Sequence, residues 1–310
     1  MSDGGNPEPK LPKGVGLTAL NVARSRATET RRADRLFDDP LAQEFVIAAT
    51  PKSAESPEQI ASQAKEGGII NIASILDDYV PIRTRFFDDY LRDACQAGCR
   101  QVVILAAGLD TRAFRLTWPQ TVHIFELDLP DVFAFKERVL SSHHAAPACR
   151  RAIVPVDLRE DWPAALLDAG FRPDEATAWL LEGILMYLAE NDRDNLLERV
   201  GDLSTAGSRL ALEPPAWTIP ESLVPSLTLG VIDQPTMARL RALTVTAQSD
   251  PSVVDLIAWM AGHGWRARRY SAKDQFAAYG RTLPPAIAAV LGATPRWLAT
   301  AERAQLANPR

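Results

Sequence analysis

The sequence predicts an α/β protein with a doubly wound, mostly parallel sheet. Three observations predict it: short apolar runs that recur along the chain, stretches of helical periodicity between them, and a glycine or an acid where several of the runs end. The first run, residues 101–106 (QVVILA), is uninterrupted, as in a strand buried on both faces, and it leads into Ala107 and Gly108. Further strands are expected over 121–127, 152–156, 178–181 and 209–213. Helical segments over 132–140 and 191–203 fit right-handed crossovers between parallel strands.

Ahead of the sheet, residues 1–16 are rich in Gly, Pro and charge and are read as a flexible lead-in. Residues 17–310 are expected to form one domain with a helical N-terminal part over 17–98. Within that part, helices are expected over 18–50, interrupted at the turn-like Asp38-Asp39-Pro40, and residues 51–57 form a loop. Apolar residues recur at helical spacing over 69–92, with Pro81 marking a break or kink. The proline-rich stretch 214–250 shows no clear strand and is read as a helical insertion or cover. Residues 265–270 and 296–300 are expected to supply edge strands.

Composition narrows the function. A hydrophobic fraction of 46% and a charged fraction of 24% are ordinary for a globular chain, and a net charge of −5 gives no general electrostatic reason to bind nucleic acid. No apolar run approaches the roughly 20 residues needed to cross a bilayer, and the N-terminus has no apolar signal core, so a cytoplasmic setting without a membrane partner is expected. Cys95, Cys99 and Cys149 suit a reducing compartment; no His or further Cys beside them completes a zinc set, and no metal site is expected. The histidines His123, His143, His144 and His263 form no readable catalytic set.

Ligands of open α/β sheets bind beyond the carboxyl ends of the strands. There the sequence places Ala107-Gly108-Leu109-Asp110 after the first strand, Glu126 and Asp128 after the second, Asp157 and Leu158 after the third, and Glu182 after the fourth. Gly108 lets backbone approach a ligand closely, and an acid about 20 residues later accepts hydrogen bonds from ribose hydroxyls. Glu126 and Asp128 compete for that role, since alternation puts them on one side of the strand. Asp157 suits an adenine amino group, with Leu158 donating a backbone N–H or packing on the ring, so an adenosine cofactor is expected. A nicotinamide dinucleotide is disfavoured, because G-x-G-x-x-G is absent and the loop has one glycine.

These stretches, with Thr18-Ala19-Leu20, Ala23-Arg24-Ser25-Arg26, Phe37-Asp38-Asp39-Pro40, Arg83-Thr84-Arg85-Phe86-Phe87-Asp88 and Glu182-Gly183-Ile184-Leu185-Met186-Tyr187-Leu188, resemble the bacterial methyltransferases related to leucine carboxyl methyltransferases and to a tetracenomycin-type polyketide carboxyl methyltransferase. The likeness spans about residues 17–279. It implies the Rossmann-like fold of class I methyltransferases and S-adenosyl-L-methionine as cofactor. Arg83 and a basic residue of the N-terminal helix, Arg24 or else Arg26, would hold its carboxylate. The loop around Gly108 would back the same moiety, Asp128 would take the ribose, Asp157-Leu158 would frame the adenine, and Glu182 would lie beside the amino end. Ala106 departs from the family's usual glycine, and binding is expected to survive if the backbone angles there are ordinary.

The implied reaction is O-methylation of a carboxylate or hydroxyl on a small-molecule acceptor, with Tyr187 read equally as a core aromatic or a substrate contact. A carboxylate needs no general base, being ionised at neutral pH, whereas a phenol would need His263 or an arginine nearby. The other readings are a non-catalytic binder of the same cofactor, with its acceptor cleft closed by 214–250, and the nicotinamide-dependent oxidoreductase. Nothing in the sequence specifies an oligomeric state.

Overall fold

The run beginning at residue 101 is the spine of the fold. In β2 (Gln101–Leu105) every side chain is buried, as expected of a strand covered on both faces. Val103 and Leu105 face one hydrophobic cluster, Val102 and Ile104 the other. The computed structural model describes residues 15–50, 70–214, 227–228, 256–285, 287–288 and 296–304.

Within these residues β3 (His123–Asp128), β4 (Arg150–Pro155), β5 (Thr177–Leu181), β6 (Arg209–Leu212), β8 (Trp265–Ser271) and β9 (Trp297–Arg303) join β2 in a seven-stranded sheet ordered β4-β3-β2-β5-β6-β9-β8. The strands from β4 through β6 pair in parallel, and β9 runs antiparallel to both of its neighbours. Strand order reverses between β2 and β5, which places the ligand-binding crevice at their carboxyl ends.

Helices cover both faces. On one, α3 (Ile72–Gln96) packs Phe86, Phe87, Tyr90 and Leu91 against Val102, Ile104 and Ile124. On the other, α6 (Trp162–Asp168) and α7 (Glu190–Asp202) bring Trp162, Leu166, Leu196 and Val200 against Trp179 and Leu181. Trp162 and Trp179 meet edge to face with ring centroids 6.3 Å apart. The N-terminal α1 (Val15–Thr30) and α2 (Pro40–Ala49) lie together, with Ala23 and Phe45 packed against Phe135 of α5 (Pro130–Ser142). The short α4 (Arg112–Arg115) follows β2, while α8 (Leu256–Gly262) and α9 (Ala272–Ala278) flank β8. No helix among the described residues is long and apolar enough to cross a membrane.

Three sequence expectations change. Helix α3 continues through Pro81; its buried face, including Tyr79, Val80, Ile82 and Phe87, outweighs the cost of about 3 kcal/mol that an internal proline carries. Of the two expected edge strands only β8 is one, for β9 is inserted between β6 and β8. Within 214–250, Leu227–Thr228 forms β7, which pairs in parallel with β1 (Ile70–Asn71); most of that stretch, and the loop at 51–57, lies outside the described residues.

Candidate functional site

The crevice begins where β2 ends. Ala107 donates its N–H to the carbonyl of Leu127 at 2.9 Å, and Gly108 donates its N–H to Asp128 Oδ2 at 2.6 Å, so the loop is stitched to the end of β3. Gly108 has φ +50°, and a Cβ there would stand 3.4 Å from the Cβ of Ala19 on α1. Ala106 has φ +53°. The condition of ordinary angles at Ala106 is not met: it occupies the left-handed region, where an L side chain costs about 1–2 kcal/mol and glycine does not.

The two acids of β3 separate. Glu126 is fully buried, and its Oε2 accepts from Lys136 Nζ at 2.6 Å and Arg151 Nη2 at 2.7 Å. It ties β3 to α5 and β4 through Oε2, while its buried Oε1 has no hydrogen-bond partner. Asp128 stands at the strand end, its Oδ1 accepting from the Leu129 N–H at 2.7 Å. Burial pushes its carboxyl up, partly offset by the two backbone N–H donors. On the neighbouring strand end, Asp157 accepts from the N–H and guanidinium of Arg159, which lowers its carboxyl, and Leu158 packs on the apolar core.

Asp110 has its carboxylate on Arg112, with the Arg112 backbone N–H at 2.6 Å from Oδ1. Burial opposes its ionisation, yet Arg112, Lys136 and Arg26 outweigh it and bring its carboxyl down to about 2. Through Arg112 its carboxylate braces the loop.

Arg83 is buried between two strand ends. Its Nε donates to Glu182 Oε1 at 2.8 Å and its Nη1 to Glu213 Oε2 at 2.7 Å, while no hydrogen bond engages Nη2 among the described residues. Arg85 pairs with Asp89 one helical turn on, whereas Arg83 pairs with carboxylates of other elements, Glu182 and Glu213. Glu182 also accepts from Arg112 Nη1 at 2.8 Å. Behind them the fully buried Asp88 takes Arg112 Nε at 2.7 Å and Arg115 Nη1 at 2.6 Å.

On α1 the two candidate arginines also divide. Arg26 is engaged with Asp39 Oδ2 at 2.7 Å, Thr111 Oγ1 at 3.0 Å and the Leu109 carbonyl at 2.6 Å, so it braces α1 against α2 and the β2 loop. Arg24 approaches Asp77 at 3.4 Å, and its buried Nε and Nη2 have no hydrogen-bond partner. Tyr187 lies in a single 3-10 turn (Leu185–Tyr187), hydrogen-bonded to Thr18 and within the field of Arg83; burial pushes its hydroxyl up.

Sequence reasoning missed Glu213, Arg112 and Arg296. Glu213 follows β6 as Glu182 follows β5, so the strand-end rule that found Glu182 applied to it too. Arg296 precedes an antiparallel strand and carried no such signal.

The unpartnered Nε of Arg24, the unengaged Nη2 of Arg83, the acid at Asp128 and the glycine at Gly108 fit a ligand with a carboxylate at one end and a ribose at the other. Comparisons agree. The sequence model of the leucine carboxyl methyltransferase family matches residues 19–201. A protein of Parafrankia sp. (strain EAN1pec), named as a candidate S-adenosyl-L-methionine-dependent methyltransferase, is 43% identical over 271 residues, covering 87% of this chain and 83% of its own. One of the same description from Saccharopolyspora erythraea is 44% identical over 276 residues, covering 87% and 90%. Among solved structures, a DUF574 family protein from Streptomyces avermitilis superposes with a TM-score of 0.46 at 15% identity, over 91% of this chain and 96% of its own. With the motifs at the carboxyl ends of a doubly wound sheet and relatives this near over most of its length, the chain belongs to the leucine carboxyl methyltransferase family and is an S-adenosyl-L-methionine-dependent methyltransferase.

Proposed function

We propose that the enzyme methylates an oxygen of a small metabolite, and that the acceptor is a carboxylate in preference to a hydroxyl. The observation that carries this reading is the lack of an imidazole at the strand carboxyl ends among the described residues. His123 opens β3 at the opposite end of the sheet, its imidazole pushed down to about 4 by burial and by Arg150. His143 pairs with Glu44, and His263 precedes β8, stacked on Trp259. A carboxylate acceptor, with a pKa near about 4, is already ionised and needs no base. A phenol at about 10 would need a base or a strong local positive field to ionise.

S-adenosylmethionine supplies a methyl group on a sulfonium, whose positive charge is discharged as the acceptor oxygen approaches. The chain's contribution is placement and exclusion of water. Arg83 and Arg24 hold the methionine carboxylate, Glu182 faces its amino group, the loop Ala107-Gly108 backs it, Asp128 accepts from the ribose hydroxyls, and Asp157 with the Leu158 backbone meets the adenine. Within a single domain, the acceptor is met by α1 and Tyr187. Free, buried Cys95 and Cys99 support a cytoplasmic setting.

Calorimetric titration tests the cofactor contacts. Arg83→Ala and Asp128→Ala should each weaken S-adenosylmethionine binding by about 10-fold or more, the range for a lost charge-assisted hydrogen bond; unchanged affinity in both would overturn the assignment. Screening acceptors with a labelled methyl group should then yield base-labile esters. Base-stable ethers as the sole products would overturn the preference for a carboxylate.

A further inference from the structure

We infer that Glu213, at the carboxyl end of β6, is a positioning residue that orients Arg83 toward the cofactor's carboxylate, itself held by Tyr79 and Arg296. This rests on the role proposed for Arg83. Glu213 is 3% exposed, and its backbone N–H bonds the Leu181 carbonyl at 3.1 Å, so the pairing of β5 with β6 fixes where it stands. Its Oε2 takes Arg83 Nη1 at 2.7 Å. Its Oε1 takes Arg296 Nη2 at 2.6 Å and the Tyr79 hydroxyl at 3.0 Å.

The consequence for Arg83 is geometric and electrostatic. A planar guanidinium held at Nε by Glu182 and at Nη1 by Glu213, from two adjacent strands, cannot turn about its own stem, and Nη2 is left with no hydrogen bond among the described residues, available to a ligand carboxylate. Glu213 alone would neutralise much of the Arg83 charge. Arg296 divides that negative charge between two arginines, while its guanidinium lies 4.1 Å over the Tyr79 ring, which keeps both in register. Burial of Tyr79 keeps its hydroxyl protonated, so it remains a donor to Glu213.

A double-mutant cycle on the full chain, read by calorimetry, separates positioning from simple bracing of the fold. Glu213→Gln should weaken S-adenosylmethionine about 10-fold in the native background and less than about 2-fold in an Arg83→Ala background. Binding of 5′-methylthioadenosine, which has no carboxylate, should not change. An unaltered affinity in Glu213→Gln, an equal loss in both backgrounds, or an equal loss for the two ligands overturns the inference. If Arg83→Ala itself binds like the native chain, the reading of Arg83 falls, a result distinct from failure of Glu213→Gln alone. Should Glu213→Gln not fold, Tyr79→Phe removes one donor to Glu213 and keeps the ring; it should weaken S-adenosylmethionine about 3-fold with Arg83 present and not without it, and no change with Arg83 present overturns the inference.

Discussion

At the scale of single residues, the loop after β2 places an alanine in a backbone region that suits glycine. Ala106 at φ +53° carries a cost of about 1–2 kcal/mol, against which a glycine would lose about 0.4–1 kcal/mol through the greater freedom of the unfolded chain. Ala106→Gly is therefore expected to raise stability by roughly 0.5–1 kcal/mol, measured by urea unfolding, with S-adenosylmethionine affinity unchanged. A loss of stability would show that the methyl makes compensating contacts. The position of this loop was legible because an apolar strand running into Gly108 is a local pattern. The angle at Ala106 was not, since it follows from stitching Ala107 to Leu127 and Gly108 to Asp128, partners about 20 residues away.

At the scale of elements, Asp39 joins three of them. Its Oδ1 caps α2 by accepting the Ala42 N–H at 3.2 Å, while Oδ2 receives Arg26 of α1 at 2.7 Å and the Thr111 hydroxyl at 2.6 Å. Asp39→Asn keeps a good cap but leaves the buried Arg26 without its counter-charge, an expected loss of about 3 kcal/mol. Asp39→Ala should lose about 1 kcal/mol more, the cap itself. Urea unfolding of both variants checks this, and a near-neutral Asp39→Asn would sink the role given to the ion pair. The turn at Asp38-Asp39-Pro40 could be read from sequence because a cap and a proline at the first helical turn are local signals. Apolar runs likewise revealed β2, β3, β5 and β6, whose burial on both faces leaves no polar alternation. The interior place of β9 had no such mark, because its neighbours β6 and β8 are set by pairing and not by composition.

Across the whole molecule, alternating charges run beneath the crevice: Asp39, Arg115, Asp88, Arg112, Glu182, Arg83, Glu213 and Arg296, in chain of contact. Arginines and carboxylates are equal in number along it. Burial opposes ionisation of Asp88 and Glu213, but their arginine partners prevail and hold both below the ordinary carboxyl range, as Arg112 does for Asp110. These carboxyls bind more protons unfolded than folded, so their stabilisation is complete above the ordinary value near about 4 and is lost as pH falls toward about 2. Asp128 has the opposite sign: raised by burial, it costs stability as pH rises through the ordinary range. The lowered groups outnumber it. The urea midpoint should begin to fall below about pH 6, where His123, its imidazole pushed down to about 4, takes up a proton on unfolding, and should drop more steeply between about pH 4 and 2 as the lowered carboxyls protonate, with little sensitivity to salt because the ion pairs are buried. A midpoint that holds steady to about pH 2 would contradict the ledger of lowered carboxyls.

The insertion of β9 between β6 and β8 also sets an order of events during synthesis. Strands β4, β3, β2, β5 and β6 can assemble as the ribosome delivers them, since each follows its neighbours closely in the chain. The edge of β6 then stays open, and β8 has nothing to pair with, until residue 303 has cleared the exit tunnel. Arg296 arrives with that same last strand. A nascent chain therefore carries Glu213 buried beside Arg83 before its second arginine is present, and a factor that shields exposed strand edges would find its target in that interval.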